Sequence, residues 1–448
     1  MVKDLTTGRP MKVLWNFTLP IIGGNLFQLF YTLADTLIVG QTIGAEALAA
    51  VGATSIFVYF ILCFIQGLTG GFGIILAQMF GSKNMRGLKR SIVASTILCV
   101  VFTVIVTPLS CIFSSEIVNW LKVPKEIQDP ALTYMVIILA GTGATVFYNM
   151  ISNILRAVGD SKIPLIYLIF SSLLNIVLDY VLIMPAGMGI AGAAWATVIS
   201  QLLSAVLCTV SALKKYEILR VGKRYWTWRK WEIGRHLRLG FPMGFQMSVM
   251  CIGQLAMQSA VNALGTDAIA GYTAATKVDQ MSILVNGAFG LAISSYVAQN
   301  YGARLIDRVK KGVVSCLVMI LATDVLIGVF ILFLEPFIVP VFVSNPTEAI
   351  FQYAHDFFVV TLPFYPVLGL LNLYRSSVQS LGNTFAPFAA CIVELIARVV
   401  CALGLAIPFG YKGICFATPL AWLGAIAVVI PFYFVTIRKL SRQEKAGH

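Results

Sequence analysis

The chain has 448 residues, of which 58% are hydrophobic and only 11% are charged. Soluble domains carry about a quarter charged residues, so this composition excludes an ordinary water-soluble protein. The formal net charge of +13 would suit a nucleic-acid-binding protein only if the basic residues formed one accessible patch.

Twelve apolar stretches follow one another along the chain. A transmembrane helix needs roughly 20 mostly apolar residues. Such stretches lie near residues 13–39, 52–80, 91–113, 131–156, 163–184, 190–213, 237–263, 273–300, 311–334, 351–380, 386–408 and 413–437. Because no cleavable leader is visible, we expect the first stretch to remain as a span. The sequence predicts an all-α integral membrane protein with twelve transmembrane helices.

The basic residues are concentrated in alternate loops. They cluster at 83–90, 214–238, 304–311 and 438–445, whereas the intervening loops contain only Lys122, Lys125 and Lys412. By the positive-inside rule, both termini are expected to be cytoplasmic, in a multi-pass protein of the plasma (inner) membrane. The 214–238 cluster also contains Trp226, Trp228 and Trp231. Tryptophans beside basic residues are typical of a membrane-interface anchor, so no nucleic-acid partner is expected.

The two halves of the chain resemble each other. Gly44, Ala47, Gln78 and Gly81 match Gly265, Ala268, Gln299 and Gly302 in one constant register. Each half has an even number of spans, so both halves enter the membrane from the same side. We therefore predict two six-helix repeat lobes related by a pseudo-two-fold axis along the membrane normal. The predicted divisions are an amino-terminal lobe at 1–213, a cytoplasmic linker at 214–236 and a carboxy-terminal lobe at 237–448.

Polar residues recur at helical spacing in four spans of the first half. The stripes are Asn25, Gln28, Thr32 and Asp35; Asn149, Asn153 and Arg156; Asn175 and Asp179; and Thr197 and Gln201. A polar stripe in lipid must face protein or water, so these stripes are expected to line one chamber. We assign the substrate cavity to Asn25, Gln28, Thr32, Asn149 and Asn153. The alternative is that the uncharged residues hold neighbouring helices together by hydrogen bonds.

Asp35 and Asp179 are the acids in these stripes. An ionised carboxylate at the centre of a span costs about 2.5–3.5 kcal/mol on insertion scales, and neither aspartate has a basic residue within a helical turn. Two acids close together in a poorly hydrated site cannot both be ionised cheaply, so the pair could take up a proton or hold a sodium ion. The alternative is a structural ion pair, for example with Arg156.

Charged residues are arranged differently in the second half. In the repeat register, Asp35 corresponds to Ala256 and Asp179 to Ala402, so acidic chemistry is expected to be confined to the first half. Glu394 and Arg398 are spaced to pair with each other, in a structural or a functional role. Arg375 is expected to extend towards the membrane surface.

Pro20 lies beside Gly23 and Gly24 in the first span. A proline inside a helix removes one backbone hydrogen bond and favours a kink. The kink could be static, or it could be a hinge that moves Asp35.

Signatures of an enzyme are missing from the sequence. The three histidines are isolated, and Gly67, Gly70, Gly71 and Gly73 are not followed by the lysine of a phosphate-binding loop. These glycines are expected to allow close helix packing. We expect a protein that is not an enzyme and that uses no cofactor other than a coupling ion.

The chain resembles the multidrug and toxic compound extrusion (MATE) family along essentially its whole length. The matching residues are Pro20, the run Leu33, Ala34, Asp35, Thr36 and Leu37, the Gly44 to Ala53 segment, Gln78 with Gly81, Arg156 to Asp160, Asn175 with Asp179, and the Gly189 to Thr197 run. The resemblance implies a secondary active transporter that works by alternating access. It would export small organic compounds in exchange for protons or sodium ions.

The resemblance also implies roles for individual residues. The cation-coupling site of the amino lobe would be formed by Asp35, Asn175, Asp179, Thr197 and Tyr134, and Pro20 would be the conformational switch. Asp35 and Asp179 would be the metal ligands if sodium is the coupling ion. Met250 stands where one branch has a glutamate, so the sequence looks more like the DinF-like branch of the family.

The substrates and partners can be inferred only by class. The expected cargo is a small cationic or lipophilic compound, and the expected partner is the lipid bilayer around a functional monomer. The alternative is a flippase for a lipid-linked or anionic amphipathic substrate. In that case Lys277, Arg375 and Arg398 would line the cavity and bind phosphate.

Overall fold

The computed structural model describes residues 4–121, 123–342 and 347–446. Lys122 lies outside these residues, and so do the side chains of Leu33, Thr36 and Leu37. Every regular element in the described part is helical. The helices of the first half are α1 (Pro10–Thr42), α2 (Ala45–Gly81), α3 (Met85–Ile112), α4 (Ser114–Trp120), α5 (Gln128–Ala140), α6 (Thr142–Ala157), α7 (Lys162–Ile183) and α8 (Gly189–Lys215).

The second half repeats this pattern. They are α9 (Lys230–Asn262), α10 (Thr266–Gly302), α11 (Ile306–Phe342), α12 (Glu348–Thr361), α13 (Tyr365–Ser380) and α14 (Phe385–Ala446). Short 3-10 turns lie at Lys125–Ile127, Glu217–Leu219, Lys223–Tyr225 and Leu362–Phe364.

The twelve predicted spans each correspond to a helix, part of a helix or a helix pair. The span predicted at 131–156 is α5 with α6, bent by 41° at their junction. The span predicted at 351–380 is α12 with α13. The last two spans are the two segments of α14, which is interrupted at Gly410 by a left-handed φ of 56°.

Length and hydropathy alone identify fewer spans in the described part of the chain. Nine helices pass that test, or ten if α5 and α6 form one span. The test counts α14 once and omits α9.

The backbone repeats between the two halves. Gly44 and Gly265 precede α2 and α10 with φ of 110° and 102°. Lys83 and Arg304, in the turns after the same two helices, have φ of 56° and 60°. These left-handed residues are at equal offset in sequence, so the repeat is a repeat of chain geometry as well as of residue type.

Contacts divide the chain into two compact units. The first contains Leu19–Phe245, and the second contains Leu5–Thr18 and the chain from Gln246 onward. The segment predicted as a linker, 214–236, belongs to the first unit. The start of α1 is thus assigned to the unit that holds the second half of the chain, and the start of α9 to the other.

Hydrogen bonds hold the start of the chain in the second unit. The backbone amide of Leu5 donates to Oε1 of Gln299 at 3.0 Å, and the Asn300 side chain donates to the Leu5 carbonyl at 3.3 Å. The Arg308 guanidinium donates to the Thr7 carbonyl at 2.7 Å.

Glycines let α2 pack closely within the first unit. A Cβ atom at Gly71 would lie 2.6 Å from the Cα atom of Gly240, and one at Gly67 would lie 2.2 Å from the Met243 carbonyl oxygen. Such distances exclude any larger side chain without displacement of backbone. The predicted packing role of these glycines is confirmed.

Candidate functional site

Asp179 and Asn175 are buried side by side in the first unit. They lie one turn apart on α7 and therefore share a helix face, and they are 0% and 1% exposed. The amide orientation that satisfies both ends of Asn175 donates from Nδ2 to Oδ2 of Asp179 at 2.9 Å and accepts from the backbone amide of Thr197 at 3.0 Å. The opposite orientation gives only a 3.4 Å bond from Nδ2 to Oγ1 of Thr197.

Asp35 meets this pair from α1. Its carboxyl group is half-buried and is close enough to the Asp179 carboxyl group to share a hydrogen bond. Within the described residues, the Oδ1 atoms of both aspartates are buried without a hydrogen-bond partner. The structure thus brings together four residues predicted for the cation-coupling site: Asp35, Asn175, Asp179 and Thr197.

Two tyrosines lie beside the carboxyl pair. Tyr134, predicted for the site, is close enough to both aspartates to feel their charge. Tyr31 was not predicted; its hydroxyl lies near the Thr197 side chain and close to both aspartates. The sequence feature that could have identified Tyr31 is its position one helical turn before Asp35, which places both side chains on the same helix face.

An apolar cluster closes one end of the site. Val39, Ala47, Ile183 and Ala193 form a buried core in which each side chain is at most 6% exposed. Val39 lies one turn beyond Asp35 on α1, and Ile183 lies one turn beyond Asp179 on α7. Water is therefore excluded from this side of the carboxyl pair, which raises the cost of any net charge there.

The residues predicted for the substrate cavity differ in exposure. Gln28 and Thr32 are exposed, and Asn25 and Asn149 are half-buried. Asn153 is buried and donates to the Thr69 hydroxyl at 3.2 Å, while accepting from Arg156 at 3.2 Å. Asn153 therefore joins α6 to α2, as expected of a polar residue that holds helices together.

Arg156 does not pair with the aspartates. Among the described residues, the ion pairs include no bond between a basic side chain and Asp35 or Asp179. The structural ion pair considered for these acids is thus not formed.

The carboxy-terminal unit has a buried charged cluster of its own. Glu394, 3% exposed, accepts from Arg375 at 2.7 Å and from Arg398 at 3.0 Å. The expectation that Arg375 extends towards the membrane surface is wrong, because its guanidinium has a buried counter-charge. Lys277 is exposed.

Acidic residues are also buried in this unit, at Asp279 and Asp324. The Tyr365 hydroxyl donates to Asp279 at 2.7 Å, and the Asn286 side chain donates to Asp324 at 2.7 Å. Buried acids are therefore present in both halves, and the expectation that acidic chemistry is confined to the first half stays a prediction. The sequence feature that could have identified Asp324 is that it is a single acid inside a long apolar stretch.

Metal-binding clusters are not evident in the described part of the chain, where no three His, Cys, Asp or Glu side chains converge. Asp35 and Asp179 provide two carboxylates, and Asn175 and Thr197 provide amide, carbonyl and hydroxyl oxygens. Oxygen ligands of this kind suit a proton or a hard cation and would not hold a soft transition metal.

Comparison with known proteins identifies the family. The MatE family model matches residues 20–181 and 242–411. The chain is 30% identical over 442 residues, 96% of each chain, to the probable multidrug resistance protein YpnP of Bacillus subtilis. It is 26% identical over 299 residues, covering 65% of this chain and 64% of the relative, to the DNA damage-inducible protein F of Escherichia coli.

A solved structure has the same fold. It is the outward-facing conformation of a multidrug resistance MATE family transporter, with a TM-score of 0.92 at 23% identity over 98% of each chain. The predicted fold of twelve transmembrane helices in two lobes is confirmed. The chain is a multi-pass membrane transporter rather than an enzyme, and it belongs to the multidrug and toxic compound extrusion family.

Proposed function

We propose that this protein is a secondary active antiporter that exports small cationic or lipophilic organic compounds in exchange for protons or sodium ions. The observation that carries the proposal is the carboxyl pair of Asp35 and Asp179, which lies beside Asn175 and Thr197 and is closed at one end by apolar side chains. The protein's membership of a family of multidrug transporters supports the same conclusion.

The chemistry of the pair supports ion coupling. Two carboxylates in hydrogen-bond contact repel each other, so a proton or a cation must lie between them. Binding of that ion removes the negative charge that would otherwise attract a cationic substrate. The ion and the substrate therefore compete for the negative charge of the carboxyl pair. Such competition is the simplest basis for the exchange of ion and substrate across the membrane.

Helix α1 can transmit the state of this site. Pro20 has no backbone amide, so the carbonyl group of Asn16 lacks its helical partner and a bend at this point costs little. The helix before Leu19 packs with the second unit, and the helix from Leu19 onward packs with the first. We propose that Pro20 is the switch at which α1 bends when Asp35 is neutralised.

The surroundings of the transporter are part of the proposal. Trp226, Trp228 and Trp231 are between 54% and 70% exposed and lie among basic residues, which suits an anchor at the cytoplasmic face of the cell membrane. We propose a monomer embedded in the lipid bilayer with both termini cytoplasmic and no nucleic-acid partner.

Transport in vesicles tests the proposal. Purified protein is reconstituted, a proton or sodium gradient is imposed, and efflux of a fluorescent organic cation is followed. Asp35→Asn and Asp179→Asn should each insert normally and lose gradient-driven efflux, because the amide cannot release an ion. The matched control is Asp129→Asn, an exposed acid in the first turn of α5, which should transport as the wild type does.

The same experiment separates the alternatives. Full ion-coupled efflux by both aspartate variants would place the coupling site elsewhere and refute the mechanism. Binding of anionic amphiphiles without binding of cations would favour the flippase. The charge balance of the second unit speaks against that alternative, because Arg375 and Arg398 are already paired with Glu394.

A further inference from the structure

Asp324 and Asn286 form an isolated polar pair inside the carboxy-terminal unit. Asp324 lies on α11 and is 2% exposed, and Asn286 lies on α10 and is 1% exposed. Nδ2 of Asn286 donates to Oδ1 of Asp324 at 2.7 Å. This bond satisfies one oxygen of the carboxyl group.

The other oxygens of the pair have no partner. Oδ2 of Asp324 and Oδ1 of Asn286 are both buried without a hydrogen bond within the described residues. Both atoms face the same point on α13, because a Cβ atom at Gly369 would lie 2.5 Å from Oδ2 of Asp324 and 3.0 Å from Oδ1 of Asn286. Two acceptor oxygens aimed at one buried point need a hydrogen or a cation between them.

The buried arginines of the unit already have acidic partners. The buried arginines Arg375 and Arg398 are matched by Glu394 and by Asp279, which feels the charge of Arg398. The ion pairs found among the described residues leave Asp324 without a basic partner.

Among the described residues, the groups found to face Asp324 are neutral or acidic. Asn286 contacts it from α10, and Tyr365 approaches it from α13 while bonding to Asp279. Arg398 on α14 acts on Asp279, and its guanidinium group is paired with Glu394. An ionised Asp324 would thus be a buried carboxylate with no counter-charge, which is strongly unfavourable.

We propose that Asp324 binds a proton on Oδ2 and is a second proton-coupling site of the transporter, separate from the Asp35–Asp179 pair. The protonated oxygen donates to Oδ1 of Asn286, and Nδ2 of Asn286 donates to Oδ1 of Asp324. The acid and the amide then form two complementary hydrogen bonds. Protonation adds one hydrogen and removes one negative charge, with no other change in bonding.

The part of this proposal that concerns transport rests on the antiport function proposed above. In that cycle, the proton on Asp324 is exchanged with water once per turnover, in addition to the ion of the amino-terminal unit. Proton binding itself does not depend on transport, so the two can be tested separately.

Infrared difference spectroscopy tests proton binding in detergent-purified protein at neutral pH. The Asp35→Asn/Asp179→Asn double variant removes the first acid pair, and the carbonyl band of a protonated carboxylic acid should remain. Adding Asp324→Asn should abolish that band. Adding Asp267→Asn, an exposed acid in the first turn of α10, should leave it unchanged. Adding Asn286→Ala should keep the band and shift its frequency, because a hydrogen bond to the acid is lost.

Three results would overturn proton binding at Asp324. They are a double variant without the band, a band that survives Asp324→Asn, and a band that disappears when choline is replaced by sodium in the buffer. The last result would mean that a metal cation occupies the site instead. None of these outcomes requires transport, so they stand even if the proposed antiport fails.

Proton stoichiometry tests the role in transport. Protons taken up per substrate exported should fall by about one in Asp324→Asn vesicles relative to the wild type, and should not change in Asp267→Asn vesicles. The coupling role would be refuted if Asp324→Asn had the wild-type stoichiometry while the double variant showed the infrared band of Asp324. Asp324 would then be a permanently protonated structural acid.

Discussion

Glu394 is the shared counter-charge of two buried guanidinium groups. Glu394→Gln keeps the size of the side chain and removes its charge, so that Arg375 and Arg398 lose the carboxylate that they share. Loss of one partner in a buried ion pair costs about 3–5 kcal/mol, so we expect a lowered melting temperature of the purified protein. Thermal unfolding followed by tryptophan fluorescence measures this effect.

The control for this prediction is Glu348→Gln, an exposed acid in the first turn of α12. It should change the melting temperature far less, since surface electrostatic effects are about 1 kcal/mol or less. A Glu394→Gln protein that melts like the wild type but has lost ion-coupled efflux would show that Glu394 serves coupling rather than stability.

At the scale of elements, one carboxylate joins two helices outside the membrane-spanning segments. Oδ1 of Asp160 accepts from the backbone amides of Lys162 and Ile163 at 2.9 and 3.1 Å, at the start of α7. Oδ2 accepts from Lys215 at 2.9 Å and from the Tyr216 hydroxyl, at the end of α8. In the second half, Asn383 caps its helix in the same way, accepting from the amides of Phe385 and Ala386.

The carboxylate makes this junction sensitive to pH. Burial raises the pKa of Asp160, but the hydrogen bonds from Tyr216, Lys215 and the Ile163 amide lower it more, so the pKa lies below its ordinary value of 3.8. A carboxyl group whose pKa is lowered by folding stabilises the protein above its unfolded pKa, and that contribution is lost as the pH falls through the folded pKa.

We therefore expect Asp160→Asn and Asp160→Ala to differ in stability at neutral pH and to share one change in acid sensitivity. Asparagine can still cap α7, as Asn383 does for α14, so Asp160→Ala should lose about 1–2 kcal/mol more at neutral pH. Both variants should lack the part of the wild-type stability that disappears below pH 4. Melting temperatures measured at neutral pH and near pH 3 would check this, and an unchanged acid sensitivity in both variants would contradict the assignment to Asp160.

At the scale of the whole molecule, the features that could be predicted from the sequence are those that depend on patterns within a single stretch of chain or on its repetition. Twelve apolar runs predicted twelve spans. The paired glycines Gly44 and Gly265 predicted a repeat that the backbone reproduces in its left-handed residues. The aspartates of α1 and α7 could be identified because each stands in a polar stripe with helical spacing.

What the sequence did not predict depends on which helix faces meet. Asp324 has no polar stripe around it, and its partner Asn286 is 38 residues away in sequence. Gly369 matters only because α13 presents it to these two side chains. The pairing of Glu394 with Arg398 could be predicted because the two residues are one helical turn apart. The bond between Glu394 and Arg375 could not, because it arises from the packing of α13 against α14.

The orientation of the molecule in the membrane is the last prediction. Basic side chains are retained on the cytoplasmic side during insertion, so the turn after α2 and the whole segment from 214 to 238 should be cytoplasmic. A reporter fused after Lys223 should be active only as a cytoplasmic reporter. One fused after Gly187, in the turn between α7 and α8, should report the outside, because α8 crosses the membrane between these positions. An external signal after Lys223 would refute the twelve-span arrangement, and equal signals at both positions would mean that α8 does not span.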